Sequence, residues 1–239
     1  VYMKGDPQGP VENLGATNRT GTVVTFKPDL EIFKEDGMSF DFNTLATRFR
    51  ETAFLNAGLH ICLKDERNGK KADFQYTKGI AEFVSFLNES KKPIHNEVIY
   101  FKGEKDTVEV EIAMQWNDSY SESIYCYANN INTHEGGTHL VGFRGALTRT
   151  TNTYANEKGL LKDFKESLEG EDIREGLAAI ISVKVREPLF EGQTKTKLGN
   201  TEVKGIVESL VNEKLVVTLD AQLFYSVLSA LPYLVNYPY

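Results

Sequence analysis

Phe190-Glu-Gly-Gln-Thr-Lys-Thr-Lys-Leu-Gly-Asn200 is the stretch around which the rest of the chain can be read. Gln193, Thr194 and Lys195 set an amide, a hydroxyl and an ammonium in consecutive positions. Gly192 precedes them and Gly199 follows, so the backbone can bend where a larger residue would resist. Upstream, Ile181-Ser-Val-Lys-Val185 alternates as a strand does, and Pro188 stops it. Downstream, Thr201-Glu-Val-Lys204 opens a helical pattern. Backbone N–H groups and the positive end of a helix favour anions at such a strand-to-helix loop. The residues alone leave two readings open: a solvated connection, or a phosphate-binding loop.

Working outward, the chain supplies alternating strand and helix signals. Val23-Val-Thr-Phe26 reads as a short strand ended by Pro28. Residues 42–58 read as an amphipathic helix with Leu45, Phe49, Thr52, Ala53 and Asn56 on one stripe and Gly58 as its stop. Residues 59–64 alternate as a strand, Asn68-Gly69 marks a hairpin, and Phe74 and Tyr76 lie on the return. A helix over 79–88 would bury Ile80, Phe83, Val84 and Leu87. Residues 98–127 are strand-rich. Val108, Val110, Ile112, Met114 and Trp116 alternate with Glu109, Glu111, Ala113 and Gln115, which predicts one buried face and one that is wet or covered by small residues. Ile124-Tyr-Cys-Tyr127 is the expected partner strand across an Asn117-Asp-Ser119 turn. Thr133 to His139 reads as a glycine-softened loop with Thr138 as candidate helix cap, leading into a helix over 139–156 that faces Leu140, Phe143, Leu147 and Tyr154 to a core. Residues 169–176 read as acidic and flexible, 177–185 as a strand, and 201–215 as a helix. The sum is an α+β layered domain, a mixed sheet with helices on one side.

Composition narrows the function classes. Hydrophobic residues at 41% and charged residues at 26% are ordinary for a soluble globular chain. A formal net charge of -7 argues against a protein that coats nucleic acid, while leaving room for a local basic patch. Cys62 and Cys126 sit in apolar alternating stretches and are expected to be buried reduced thiols. His134, Glu135 and His139 lack the i, i+4 helical spacing of a zinc site, so no metal site is expected. Val1 is not an initiator methionine and no signal peptide is present, so the chain reads as a piece of a longer cytoplasmic protein. Residues 216–239 carry one charge, Asp220. Pro232 interrupts them, which argues against a membrane helix. They read as a frameshifted or truncated end without assigned function.

Arg186-Glu-Pro188 followed by the 190–200 stretch resembles the "QTK" loop of the ATPase subunits of type IIA DNA topoisomerases, the B subunit of bacterial gyrase first and the matching subunit of topoisomerase IV next. Three more blocks resemble the same family in the same order: Arg50-Glu-Thr-Ala-Phe-Leu-Asn56, Gln115-Trp-Asn-Asp118, and Asn129-Asn-Ile-Asn-Thr-His-Glu-Gly-Gly-Thr-His-Leu-Val-Gly-Phe-Arg144. The resemblance covers about residues 1–215 and stops at the 216–239 tail.

The resemblance implies a fold and a division of labour. Residues 1–36 would be the end of an ATPase domain of the GHKL type, with its last strand. Residues 37–215 would be a transducer domain of the ribosomal protein S5 domain 2 type. Lys195 and Gln193 would contact the γ-phosphate of ATP, and Thr22 would lie near the adenine; the bland reading of Thr22 is a strand threonine. No catalytic residue is expected in this chain. The general base, the magnesium-binding asparagine and the glycine-rich lid belong upstream, so this chain alone is expected to bind neither ATP nor Mg2+ and to be inactive. Arg144 and Arg149 would face DNA in a central cavity, against a bland reading as a solvated charged face. The implied partners are a gyrase A-type subunit, DNA and a second copy held through the ATPase region, with no membrane. The implied function is to couple ATP binding and hydrolysis to gate closure and strand passage. The alternative is a truncated S5-like module that only binds nucleic acid or protein.

Overall fold

The computed structural model describes residues 1–18, 20–29, 31–32, 40–159 and 167–218. It forms two compact units, Val1–Leu45 and Ala46–Tyr239.

In the first unit, β1 (Tyr2–Met3) pairs with β2 (Asp6–Pro7) in a small antiparallel hairpin. The strand expected at 23–26 is absent: Val23 and Val24 are 93% and 76% exposed, and no ladder reaches them among the described residues. A strand exists only where a neighbour takes its N–H and C=O groups, and β-branched residues cannot substitute for that neighbour.

The second unit is built on a five-stranded sheet in the order β5-β6-β9-β7-β8. Its strands are β5 (Ile99–Lys105), β6 (Val108–Trp116), β7 (Ser123–Ala128), β8 (Ile131–Asn132) and β9 (Leu177–Lys184). β6 is antiparallel to β9, with Ile112 opposite Ile181, while β7 runs parallel to β9, with Cys126 opposite Ile181. The expected pairing of β7 with β6 is therefore wrong, because β9 lies between them. Composition explains the insertion. Leu177-Ala-Ala-Ile-Ile-Ser-Val183 is buried at every position, the mark of a strand covered on both faces. β7 keeps Tyr125 40% exposed.

Helices cover both faces of the sheet, which corrects the one-sided layering expected from the sequence. α3 (Thr138–Glu157) and α5 (Thr201–Thr218) pack Phe143, Leu147, Val203, Val207 and Val211 over Ile112, Met114, Ala179 and Ile181. On the opposite face, α2 (Ile80–Leu87) lays Ile80, Phe83 and Val84 over Ala113, Tyr127, Ala178 and Ile180. Phe54, from α1 (Phe42–Leu55), stacks on Phe83 at 4.6 Å and on Tyr76 at 3.6 Å between ring centroids. The two clusters alternate along β9 as the period of two requires. On its Gln115 face β6 is dry only towards its Trp116 end: Gln115 is 4% exposed, and its amide joins Asn88 and the His95 carbonyl at 2.9 Å each, while Glu109 and Glu111 are only half-buried. Trp116 is a core residue as expected, its indole N–H donating to the Ile173 carbonyl at 2.8 Å.

α3 and α5 meet at a glycine. A Cβ on Gly142 would stand 2.5 Å from the Lys204 carbonyl oxygen, so only glycine lets the two backbones come this close. The remaining elements are β3 (Ile61–Lys64) with β4 (Lys71–Phe74), a separate hairpin, and α4 (Gly170–Arg174). α4 replaces the flexible acidic stretch expected there. The Asp172 carboxylate accepts the Glu169 N–H at 2.8 Å, which closes its first turn. On β3, Cys62 is exposed, against expectation, because this hairpin stands outside the main sheet; Cys126 is buried and its thiol is pushed up to about 12 by burial. α5 carries 216–218 as helix, and the rest of the uncharged tail lies outside the described residues. Among the described residues, no helix is long and apolar enough to cross a membrane.

Candidate phosphate-sensing loop

β9 leads the chain out of the middle of the sheet, and asparagines fix the loop beyond it. Asn129 and Asn130 occupy left-handed backbone (φ 48 and 65) between β7 and β8, as a two-residue hairpin of this hand demands. The Asn129 side chain then accepts the Val185 N–H at 2.8 Å and donates to the Val185 carbonyl at 2.7 Å. Further on, Asn200 accepts the Leu189 N–H at 2.7 Å and donates to the Glu187 carbonyl at 3.2 Å. Both ends of the loop are held by side chains that imitate a neighbouring backbone.

Within these clasps the loop folds as a narrow finger. Phe190 bridges Leu198, the Glu191 N–H donates to the Lys197 carbonyl at 2.9 Å, and Leu198 is 1% exposed. The flank of the finger lies along the approach to α3. Glu135 N–H donates to the Thr196 carbonyl at 3.0 Å, Leu198 N–H to the Gly136 carbonyl at 3.0 Å, and Thr138 N–H to the Leu198 carbonyl at 3.1 Å. Gly137 (φ 132) makes this contact possible, since a Cβ there would strike the Leu198 backbone. Thr138 is consequently not the helix cap. Gly137 holds that position, Thr138 is the first helical residue, and its hydroxyl is buried without a hydrogen-bond partner.

Gln193, Thr194 and Lys195 are exposed at the tip. Lys195 N–H donates to the Gly192 carbonyl at 3.3 Å, and Lys195 itself is left-handed (φ 55), an uncommon conformation for a residue with a side chain. Its ammonium lies 5.8 Å from the centroid of the Phe190 ring. Among the described residues it makes no ion pair, whereas Lys197 is paired with Glu191 at 3.1 Å. An exposed ammonium with no internal carboxylate, held on a loop fixed at both ends, fits a phosphate oxygen.

The other expected site residues are dispersed. Thr22 belongs to the first unit and is exposed there. Arg144 and Arg149 lie on α3, as expected, and neither is a bare cation: Arg144 pairs with Glu122, which also accepts from Arg174 at 2.7 Å, and Arg149 lies 3.8 Å from Glu208. His134 is exposed while His139 is fully buried, its Nε2 3.2 Å from the Thr133 hydroxyl. Among the described residues no three His, Cys, Asp or Glu side chains gather as a metal site. Reading the sequence missed Asn129, Asn200, Glu135 and Thr196 as the groups that shape the loop. Two of the quoted blocks contain all four, but nothing in either block said that they touch.

Comparison with known sequences and structures gives the family. A family profile described as DNA gyrase B matches residues 79–230. The DNA gyrase B subunit of Myxococcus xanthus is 55% identical over 215 residues, 90% of this chain and 26% of that protein. The corresponding protein of Bacillus mycoides is 51% identical over 213 residues, 89% of this chain and 52% of that sequence. The chain thus spans between a quarter and about half of these relatives' lengths. The crystal structure of the 43K ATPase domain of Thermus thermophilus gyrase B in complex with an aminocoumarin superposes with a TM-score of 0.77 at 36% identity, over 87% of this chain and 55% of that one. The ATP-binding domain of Francisella tularensis topoisomerase IV shares the fold, with a TM-score of 0.72 at 22% identity over 87% of this chain and 56% of that one. The chain belongs to the DNA gyrase B family.

Proposed function

We propose that this chain is the part of a type IIA topoisomerase ATPase subunit that senses the γ-phosphate of ATP and transmits its presence to the DNA-handling part of the enzyme. On this reading residues 37–215 are a transducer domain of the S5 domain 2 type, and residues 1–36 end a GHKL ATPase domain. The observation that carries the reading is Lys195. Its ammonium is exposed and without an ion pair among the described residues, at the tip of a loop clasped by Asn129 and Asn200. Lys195 supplies a point charge to the γ-phosphate and Gln193 adds a hydrogen bond. Thr22 contributes to the adenine end.

The contact exists only while the γ-phosphate is attached, so hydrolysis releases the loop, as in other γ-phosphate switches. The Glu135 and Leu198 backbone bonds tie the loop to the start of α3, and Arg144 and Arg149 on α3 face a DNA segment. Their pairing with Glu122 and Glu208 does not oppose this role, because half-exposed ion pairs contribute only about 0–1 kcal/mol. The intact subunit would act in the cytoplasm, as a dimer, with a gyrase A-type partner. The test is Lys195→Ala in the intact subunit. ATP turnover is expected to vanish while the thermal unfolding temperature is unchanged; retained turnover would sink the reading.

A further inference from the structure

Lys195 is held in left-handed backbone (φ 55) that a lysine does not adopt without support from its neighbours. On its N-terminal side the support is the bond to the Gly192 carbonyl at 3.3 Å. On its C-terminal side it is Thr196, and Thr196 is gripped twice by one residue. The Glu135 N–H donates to the Thr196 carbonyl at 3.0 Å, and the Thr196 hydroxyl donates to the Glu135 carboxylate at 2.8 Å. Among the described residues, no other hydrogen bond or ion pair joins a side chain of the 190–198 finger to the approach to α3.

We propose that Glu135 is a positioning residue for Lys195, acting through the Thr196 hydroxyl; this rests on the γ-phosphate reading above. Glu135 does not touch the phosphate. It fixes the residue next to the lysine, so that the ammonium points out of the finger rather than sampling the range of directions a free loop would allow. Because Glu135 leads directly through Gly136-Gly137 into α3, it also carries a pull on the loop to that helix, beside the Leu198 backbone bonds. Small misplacement of a positioned charge costs up to about 100-fold in rate, so losing the side-chain grip on Thr196, with the Glu135 N–H bond kept, is expected to cost about tenfold.

The test uses the intact subunit and five variants beside Lys195→Ala: Glu135→Ala, Glu135→Gln, Thr196→Val, Thr196→Ser and the double variant Glu135→Ala/Thr196→Val. Steady-state ATP turnover gives kcat and KM separately, and thermal unfolding monitors the fold. Glu135→Ala and Thr196→Val should each lower kcat about tenfold with little change in KM, and the double variant should be no worse than either alone. Glu135→Gln keeps an acceptor oxygen and Thr196→Ser keeps the hydroxyl, so both should retain near-native kcat. Independent losses that multiply in the double variant, or equal losses in the conservative and non-conservative variants, overturn the positioning role while leaving the lysine's role intact. Turnover that survives Lys195→Ala overturns the γ-phosphate reading and the positioning role with it.

Discussion

Lowering the pH from 6.5 towards 4 should destabilise this fold through His139. The imidazole is fully buried. Thr133 has one hydroxyl hydrogen and gives it to the Cys126 carbonyl at 3.1 Å, so the 3.2 Å contact between Thr133 and His139 Nε2 requires the ring to donate there. Nδ1 is then a bare acceptor, and it has no hydrogen-bond partner. Protonation would place an N–H and a charge in the core with nothing to receive either, and burial accordingly lowers the pKa from 6.5 to about 4. In the unfolded chain the same ring takes its proton near 6.5, so between the two values the unfolded state binds more protons. Stability from this group is complete above pH 6.5, falls as the pH drops, and levels off below about 4. The gap corresponds to about 3 kcal/mol. Urea unfolding of the chain and of His139→Gln at steps between pH 7 and 4 isolates the effect, because carboxylates and His95 titrate alike in both and cancel in the difference. The difference should shift by about 3 kcal/mol across the window. A difference that stays constant with pH would refute the tautomer and the burial argument together.

Three further outcomes are expected from packing. Gly142→Ala drives a methyl into the Lys204 carbonyl and should destabilise by about 1–3 kcal/mol, measured by urea unfolding. Asn129→Ala removes both bonds to Val185 and the residue suited to a left-handed turn, so a loss of about 2 kcal/mol is expected, with faster tryptic cleavage after Lys195 as the loop loosens. Trp116→Phe leaves the Ile173 carbonyl without its indole donor and should cost about 1–3 kcal/mol, seen as a lower thermal midpoint.

The sequence spoke clearest where structure is local. The helices at 80–87, 138–157 and 201–218 and the strand at 108–116 arise from periodicity that each segment carries within itself. Pairing order was not legible, because a strand signal says that a neighbour exists and not which one. β9 takes the central place because Leu177 to Val183 is apolar enough to be covered on both faces, a fact that decides the topology only once β6 and β7 are compared with it. For Gln115 the pattern left a wet face or one covered by small residues open, because its polarity does not show the Asn88 and His95 groups that satisfy it. At the site, the composition of the loop was plain, but the left-handed backbone of Lys195 has no compositional mark. The Glu135 grip on Thr196 spans 61 residues of sequence. The ion pair of Arg144 was invisible for a similar reason, since its partner Glu122 lies 22 residues away.

Contact between Lys195 and the γ-phosphate is the central claim, and affinity acylation tests it most directly. An ATP analogue bearing an acyl group on its γ-phosphate transfers that group to an amine within reach, and mass spectrometry of the labelled intact subunit identifies the lysine. Lys197, two positions away and paired with Glu191, serves as the internal control. Labelling of Lys195 that exceeds Lys197 and is suppressed by excess ATP is the result expected. Equal labelling of the two lysines, or labelling of Lys195 that ATP does not suppress, would contradict the account.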